Sequence, residues 1–444
     1  MNETLLLFLL LLCGFLTFGF KDEQMQSKVV SDKASPIRSS ERYIVLDVLR
    51  GIALLGICLA NFPEFSLYTF LDKDVVDAMS TAGVDRIVKY FQYIFIDGKF
   101  YSLFSILFGI GFTIIMSNLL KKGGNGMLIF YRRMAILLLI GFMHLLLLWA
   151  GDILLLYALV GMILPLFRNL SDRNLLTVAS IFILIPIVID AMRVVLGYDP
   201  SALVMRANQY FNEMNGINDD NFAIWLRDGQ TYSDVLKFNL SGSFIRCQEF
   251  IDGNRAFKVM GLFLFGLYIG RKKLYADLDT RITILKKVRL YGFLIGLPLS
   301  CLYGWIAMND TPLGLIGRSA AYAFSVIPMC LSYTSVICLW YNKNKELGVF
   351  RFPAATGRMA LTNYIGQSVF GMVIYYGIGF GLGASMGLAY VELVAIGVFF
   401  IQMFCSYTWL KRFQFGPLEW IWRMLTYGKR LRIVKREPPP NLLP

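Results

Sequence analysis

The fold of this chain is decided by apolar stretches such as residues 44–62, which read IVLDVLRGIALLGICLANF. A helix rises about 1.5 Å per residue, so a stretch of about 20 apolar residues crosses the hydrocarbon core of a bilayer. Comparable stretches recur along the chain, and further spans are predicted at 4–20, 100–119, 134–150, 153–167, 175–196, 257–270, 290–307, 315–340, 360–381 and 386–410. The sequence therefore predicts an all-α polytopic transmembrane helix bundle, with about ten core spans plus one N-terminal span.

The composition leads to the same class of protein. Of the 444 residues, 57% are hydrophobic and 16% are charged, whereas about a quarter of the residues of a typical soluble domain are charged. The lipid bilayer is therefore the predicted surrounding of the chain. Its seven cysteines form no CxxC pair, and it has one histidine, so the sequence supports neither a disulfide framework nor a metal site. We expect no permanently bound cofactor.

The net charge of +13 indicates an orientation in the membrane rather than nucleic-acid binding, because most basic residues lie in short loops between apolar stretches. If residues 21–43 face the cytoplasm and the sides then alternate, the cytoplasmic segments hold 30 Lys and Arg and the opposite face holds 9. Cytoplasmic loops are enriched in these residues. We therefore expect the N-terminus outside, the C-terminus inside and no nucleic-acid partner.

The predicted organisation has three parts. Residues 1–43 are expected to form an N-terminal transmembrane helix and a cytoplasmic linker, and residues 44–410 form the transmembrane bundle. Within the bundle, residues 197–256 are rich in Asn, Asp and aromatic residues, and we expect them to form an external insert that can cap an opening. Residues 411–444 are basic with interspersed tryptophans, which is typical of an amphipathic segment at the inner membrane surface.

Three polar residues interrupt the span at 44–62. Asp47 and Arg50 are three apart, so they share a helix face and can form an ion pair. Arg50 either extends to the membrane interface or binds a phosphate or carboxylate at the inner mouth of a cavity. Asn61 lies at the other end of the span, where it either ends the helix or faces a cavity.

His144 is the one histidine of the chain and lies in an apolar span. An imidazole can serve as a general base or a proton relay, or it can be a hydrogen-bonded packing residue. Asp152 lies eight residues on, about 12 Å along a helix axis, so the two cannot touch within one straight helix. Gly151 and Asp152 indicate a turn, with Asp152 as the N-cap of the next span. No Ser/His/Asp set stands out in the sequence.

Asn363 and Gln367 are four residues apart in the span at 360–381, so they lie on one helical face within the membrane. One interpretation is that they form interhelical hydrogen bonds, which hold membrane bundles together. The other interpretation is that they line a substrate path.

An ordered set of stretches carries a resemblance to a known family. They are residues 46–57, 98–112, Arg132-Arg133 with His144, 151–154, 357–364 and 416–423. Together they resemble the domain-of-unknown-function 418 family, the YeiB-like bacterial membrane proteins, over nearly all of residues 43–429. The resemblance implies a multi-pass protein of the bacterial cytoplasmic (inner) membrane.

The Asp-x-x-Arg-Gly helix at 47–51 is also similar to that of membrane acyltransferases of the heparan glucosaminide acetyltransferase type. Those enzymes move an acyl group from cytoplasmic acyl-CoA to an external sugar. The resemblance implies acyl-CoA as co-substrate and a sugar or lipid-linked acceptor. This sequence lacks the histidine that such enzymes carry shortly after that helix, since residues 61–64 read Asn-Phe-Pro-Glu. His144 is the one possible substitute.

Two functional hypotheses follow. In the first, the protein is a membrane O- or N-acyltransferase, with His144 as the base that Asp152 orients, Arg50 held by Asp47 on the CoA phosphates, and Asn61 or Asn363 at the oxyanion. In the alternative, it is a transporter or flippase whose path is lined by His144, Asp152, Asn363 and Gln367. A homo-oligomer is compatible with either hypothesis.

Overall fold

The computed structural model describes residues 43–121, 126–309, 311 and 313–435, with side chains outside 118–121. The predicted N-terminal span at 4–20 and the end of the tail lie outside these residues. The helices, in chain order, are α1 (Ile44–Phe65), α2 (Lys73–Asp77), α3 (Ala82–Phe95), α4 (Lys99–Lys121), α5 (Gly126–Leu147), α6 (Leu154–Ile163), α7 (Asp172–Leu196), α8 (Ala202–Asn215), α9 (Asp219–Phe222), α10 (Trp225–Asp228), α11 (Tyr232–Asp252), α12 (Arg255–Arg271), α13 (Ile282–Met308), α14 (Gly314–Lys343), α15 (Arg351–Arg358), α16 (Ala360–Tyr375), α17 (Leu388–Arg412) and α18 (Pro417–Tyr427).

The prediction of an all-α membrane bundle is confirmed, and each predicted core span coincides with a helix. Seven helical segments of the described residues are long and apolar enough to cross a membrane: Ile44–Phe65, Ala82–Ser117, Gly126–Leu147, Asp172–Leu196, Asp279–Met308, Gly314–Lys343 and Leu388–Arg412. Many of their large apolar side chains are exposed on the protein surface, among them Leu139, Val188, Leu294 and Phe404. Such a surface suits lipid rather than water. The chain is a multi-pass membrane protein.

Three predicted core spans are shorter than a full crossing, since α6, α12 and α16 have 10, 17 and 16 residues. The span predicted at 360–381 ends early, at Tyr375, because the glycine-rich chain after it turns back on the helix. The Phe380 amide donates to the carbonyl of Val373 at 2.8 Å, and the Gly383 amide donates to that of Tyr375 at 2.8 Å. Periodicity and length alone did not reveal these backbone turns.

Helix α1 lies inside the bundle, packed against α4, α15, α16 and α17. Its contact with α15 is close because both helices carry glycine there. A Cβ atom on Gly51 would lie 1.9 Å from the carbonyl oxygen of Pro353, and one on Gly357 would lie 2.0 Å from that of Asp47. This approach places the start of α1 beside the junction between α15 and α16.

The insert at 197–256 contains helices α8 to α11, and the longest, α11, packs against α5. The Asn239 amide donates to the carbonyl of Leu146 at 3.2 Å, and the Tyr232 hydroxyl donates to that of Leu147 at 2.5 Å. The insert therefore satisfies carbonyl groups at the C-terminal end of α5, which otherwise lack helical partners.

Candidate functional site

A cavity of about 450 Å³ runs beside α1 and is lined by polar groups at two ends and apolar groups between them. The first end, called the Arg50 end, is lined by Asp47, Arg50, Arg133, Arg358, Glu419 and Arg423. The second, called the Glu64 end, is lined by Asn61, Glu64, Asp97, Arg246 and Arg255, and the middle includes Leu54, Phe104, Phe108, Leu137, Leu154 and Tyr157. Arg50 and Glu64 are separated by 14 residues of α1, or about 21 Å along its axis.

At the Arg50 end, the predicted pair within α1 is present. The Arg50 Nη1 atom lies 2.8 Å from Oδ1 of Asp47, and Asp47 is 2% exposed. Both side chains line the cavity. The buried carboxylate thus fixes a guanidinium group at the cavity wall. This is the geometry that Arg50 would need to bind a phosphate or carboxylate in the cavity.

Three more arginines surround this end of the cavity. The Arg133 guanidinium stacks 3.7 Å from the ring centroid of Trp422, and that of Arg423 lies 4.8 Å from the ring of Phe415. Arg358 donates from Nη2 to the carbonyl of Gln414 at 3.1 Å. Aromatic faces and a carbonyl thus help to hold these guanidinium groups in place. With four guanidinium groups and two carboxylates in its lining, the Arg50 end favours anions.

Glu419 caps the start of α16 from a different helix. Its carboxylate accepts hydrogen bonds from the Leu361 amide at 2.7 Å, the Thr362 amide at 3.1 Å and the Thr362 hydroxyl at 2.6 Å. Burial raises the pKa of the Glu419 carboxyl, against the opposing effect of the bonds from Thr362. Glu419 therefore fixes α18 to the N-terminus of α16, where the helix dipole favours a negative group.

At the Glu64 end, an ion-pair network joins the insert to α1. The Arg246 guanidinium lies 3.2 Å from Oε2 of Glu64 and 2.5 Å from Oε2 of Glu249, and it donates to the carbonyl of Ala150 at 3.3 Å. Asn61 lines the cavity beside this network. Arg246 was missed by the sequence analysis because it lies in the polar insert, where an arginine carries no signal.

His144 connects two elements that the sequence separates. Its Nδ1 atom lies 2.8 Å from Oδ1 of Asp152, and its Nε2 atom lies 2.8 Å from Oγ of Ser368. The other carboxylate oxygen of Asp152 accepts from the Leu155 amide at 2.7 Å. The N-cap residue of α6 is Ile153, one residue after the predicted Asp152, although the Asp152 carboxylate binds an amide of the first turn. The same carboxylate fixes the imidazole, because the turn after α5 brings it back to His144.

The imidazole is sealed from the cavity by a tyrosine. His144, Asp152 and Ser368 are 2%, 0% and 1% exposed. The ring of Tyr364, which lines the cavity, lies 5.2 Å from the imidazole between ring centroids. Tyr364 is held by a hydrogen bond that its hydroxyl accepts from the Ile153 amide at 3.3 Å. Tyr364 therefore separates the imidazole of His144 from the cavity.

Ser368 completes a Ser/His/Asp set that the sequence analysis did not find. Tyr364 and Ser368 are four residues apart, so both lie on the face of α16 turned towards His144. That spacing was the available signal, but serine is common in membrane helices and its partner is 224 residues away. No Ser/His/Asp set was predicted from the sequence, whereas in the structure hydrogen bonds join these three side chains.

Asn363 and Gln367 lie on a neighbouring face of α16 and contact α17. The Asn363 amide donates to Oγ of Ser406 at 2.9 Å and to the carbonyl of Thr356 at 3.1 Å. The Gln367 amide donates to Oε1 of Gln402 at 3.3 Å. In the described part of the chain neither side chain lines the cavity, so their contacts are those of the interhelical interpretation.

Across the described residues, no group of three or more His, Cys, Asp and Glu side chains is placed to hold a metal ion. The polar groups of the cavity include guanidinium, carboxylate, amide and phenol groups, which bind a ligand through hydrogen bonds and charge.

Comparisons with known proteins place the chain among bacterial proteins. A family model described as "Protein of unknown function (DUF418)" matches residues 269–429. "Uncharacterized protein YxaH" of Bacillus subtilis (strain 168) is 30% identical over 413 residues, which cover 90% of this chain and 98% of that protein. "Uncharacterized protein YeiB" of Escherichia coli (strain K12) is 28% identical over 419 residues, covering 87% and 96%. No solved structure matches the chain.

Proposed function

The chain belongs to the DUF418 family of proteins of unknown function, and on the strength of its own cavity we propose that it is a membrane acyltransferase. It takes an acyl group from cytoplasmic acyl-CoA and places it on an external sugar or lipid-linked acceptor. The observation that carries the proposal is a single cavity that joins an end with four arginines to a second polar end through an apolar middle.

The Arg50 end suits the phosphates of coenzyme A. Guanidinium groups present paired donors that match phosphate oxygens, and Asp47 holds Arg50 in place at 2.8 Å. The asymmetry of Lys and Arg along the sequence supports a cytoplasmic position for this end. A donor bound there would have its headgroup at the inner membrane surface.

The apolar middle suits the arm and acyl chain of the same molecule. Aromatic and aliphatic side chains line it, including Phe104, Phe108 and Leu137. The distance of about 21 Å between the two ends along α1 is long enough that an extended donor, rather than a compact one, is needed to reach from one end to the other.

The reaction requires a proton acceptor at the far end of this path. The acceptor's hydroxyl or amine attacks the thioester carbonyl, a C–O or C–N bond forms and the C–S bond breaks, and coenzyme A leaves as a thiol that takes up the released proton. Asp152 and Ser368 hold both nitrogen atoms of His144, so a rotation of Tyr364 away from the cavity wall would expose an oriented base. Asn61 lines the cavity and supplies an amide donor for the oxyanion.

Binding of coenzyme A tests the donor site directly. We expect the full chain in phosphatidylcholine nanodiscs to bind coenzyme A in calorimetry, and Arg133→Gln to weaken the affinity about 10-fold, as for loss of one charge-assisted hydrogen bond. Arg132→Gln is the matched control, because Arg132 donates to the carbonyl of Leu425 at 3.2 Å and is exposed. Folded protein that binds no coenzyme A would overturn the proposal.

Turnover is the second readout. We expect acetyl-CoA to lose its thioester absorbance when glucosamine is supplied as acceptor, and His144→Gln to abolish this loss while coenzyme A still binds. Binding without any thioester cleavage by wild type, over a panel of sugars, would contradict acyl transfer.

One observation favours the transporter alternative: His144, Asp152 and Ser368 are sealed from the cavity, as a proton relay would be. In that case, proteoliposomes would take up protons in a manner that depends on His144, and coenzyme A would not bind.

A further inference from the structure

The Glu64 end of the cavity contains a second arginine besides Arg246, and this is Arg255. This residue is the first of α12 and lines the cavity. The preceding Asn254 has a left-handed backbone with φ of 50°, and its buried amide donates to Oδ1 of Asp190 at 2.9 Å. The anchored turn therefore fixes where the guanidinium group enters the cavity.

Arg255, which is half-buried, differs from Arg246 and Arg193 in having no acidic group within ion-pair distance among the described residues. Arg246 pairs with Glu64 and Glu249, and Arg193 pairs with Asp252 at 2.9 Å. Among the residues that the structure describes, none forms a hydrogen bond or an ion pair within 4.0 Å with the Arg255 guanidinium. Its guanidinium lies 5.2 Å from the ring centroid of Tyr101.

The acidic groups nearby are already engaged. Asp97 accepts a hydrogen bond from the Tyr303 hydroxyl, and Glu64 pairs with Arg246. A further cation, Lys258, lies over the ring of Tyr322 at 4.3 Å, and the hydroxyls of Tyr322 and Tyr101 are 2.7 Å apart. Aromatic rings therefore lie against both Arg255 and Lys258, while the nearest carboxylates form their direct contacts with other groups.

An arginine remains protonated at all physiological pH values, so it cannot avoid the cost of burial by losing its charge. An unpaired cation inside a membrane protein is costly, and such groups mark ligand sites. The ligand that compensates a guanidinium group best is an oxyanion, which accepts two of its N–H groups at once.

We propose that the Glu64 end binds an oxyanion, so that the acyl acceptor carries a phosphate or carboxylate group that pairs with Arg255. The assignment of this molecule as the acceptor rests on the proposed acyltransferase function, whereas the anion site itself does not. Tyr101 forms the floor of the site, and Arg246, held by Glu64 and Glu249, forms the fixed wall beside it.

Arginine labelling with phenylglyoxal, read by peptide mass spectrometry, tests this site on the wild-type chain in phosphatidylcholine nanodiscs. We expect inorganic phosphate at about ten times its Kd to slow the labelling of Arg255 about 10-fold, in proportion to occupancy. Chloride at equal ionic strength should not protect it. The exposed Arg206 serves as the internal control and should label equally in all conditions.

A second arm separates a soluble oxyanion from a lipid headgroup. Protection by inorganic phosphate in phosphatidylcholine nanodiscs supports a soluble acceptor, and protection that needs phosphatidylglycerol in the disc supports a lipid-linked one. If Arg255 is labelled at the same rate with and without inorganic phosphate, and also with and without phosphatidylglycerol in the disc, the oxyanion site is overturned. Because coenzyme A is expected to protect Arg133 instead, loss of protection at Arg133 alone would count against the acyl donor site and leave the Arg255 site standing.

Discussion

The Nδ1 atom of His144 lies 2.8 Å from Oδ1 of Asp152, although Asp152 lies in the turn beyond the end of α5. The second carboxylate oxygen of Asp152 accepts a hydrogen bond from the amide of Leu155. One carboxylate therefore binds the first turn of α6 and also orients the imidazole. Because the Asp152 carboxylate is an acceptor, this contact favours the tautomer with the proton on Nδ1, in which Nε2 can accept from the Ser368 hydroxyl. In the proposed acyltransferase, this arrangement would orient His144 as a base that Tyr364 covers.

His144→Gln is expected to remove activity while keeping the fold. Gln has similar size and can keep one of the two hydrogen bonds, but it cannot take up a proton. Loss of a general base costs about 10²–10⁴-fold in rate. The measurement is acetyl-CoA turnover in nanodiscs, with coenzyme A affinity as the check that the cavity is intact. Activity within a few-fold of wild type would assign His144 to packing.

The sequence identified His144 and Asp152 but not the set they form. The turn after α5 is short and local, so a contact between Asp152 and His144 was among the possibilities that the sequence offered, and the structure shows that contact. Ser368 comes from a helix 224 residues away, and only the packing of α16 beside α5 brings it into contact. Arg246 and Arg255 could not be identified from the sequence either. Charged residues are common in a polar insert, and only the fold places these two in the cavity wall.

Arg50→Lys is expected to weaken coenzyme A binding although the charge is kept. Arg offers a planar pair of donors that Asp47 holds at 2.8 Å, whereas Lys is a mobile point charge that cannot serve both partners in this way. We expect about a 10-fold rise in Kd, equivalent to about 1.4 kcal/mol, measured by calorimetry. A variant with wild-type affinity would mean that Arg50 is an interfacial anchor.

The orientation of the bundle can be measured with single cysteines. In a background without native cysteines, we expect a cysteine at the exposed Lys286 to react with an impermeant maleimide only after the cells are opened, because cytoplasmic loops are enriched in Lys and Arg. A cysteine at the exposed Tyr210, within the insert, should react in intact cells. The reverse pattern would overturn the predicted topology.

The buried Glu419 predicts a pH dependence of stability. Burial raises its pKa in the folded state, so its stabilising contribution is fully present below the pKa of the unfolded state, about 4.3, and is lost as the pH rises through the folded-state pKa. We expect the thermal unfolding temperature in detergent to fall over that range, and Glu419→Gln to reduce the fall. Glu346→Gln, at an exposed position, is the control and should leave the pH dependence unchanged.

The positions of the apolar helices followed from the sequence because a bilayer demands about 20 apolar residues per crossing, but three of the predicted spans proved shorter than that. Where helices end depended on contacts that composition does not show. Tyr375 ends α16 because the following glycines fold back on it, and α1 and α15 approach closely because Gly51 and Gly357 face each other's backbones. Glycine in a membrane helix is too common for the second contact to have been predicted.

That contact gives the last prediction. A Cβ atom at Gly51 would lie 1.9 Å from the carbonyl oxygen of Pro353, which is backbone and cannot rotate away, so Gly51→Ala must push α15 from α1. We expect a loss of about 1–3 kcal/mol in the free energy of unfolding, as for other overpacked cores, together with weaker coenzyme A binding, because Arg50 and Arg358 flank the contact. Gly397→Ala in α17 is the matched control: nothing lies within 4 Å of its Cβ position, and alanine favours a helix over glycine by about 1 kcal/mol. Thermal unfolding in detergent should therefore show Gly51→Ala below wild type and Gly397→Ala at or above it, and equal unfolding temperatures for the two variants would contradict the close packing of α1 against α15.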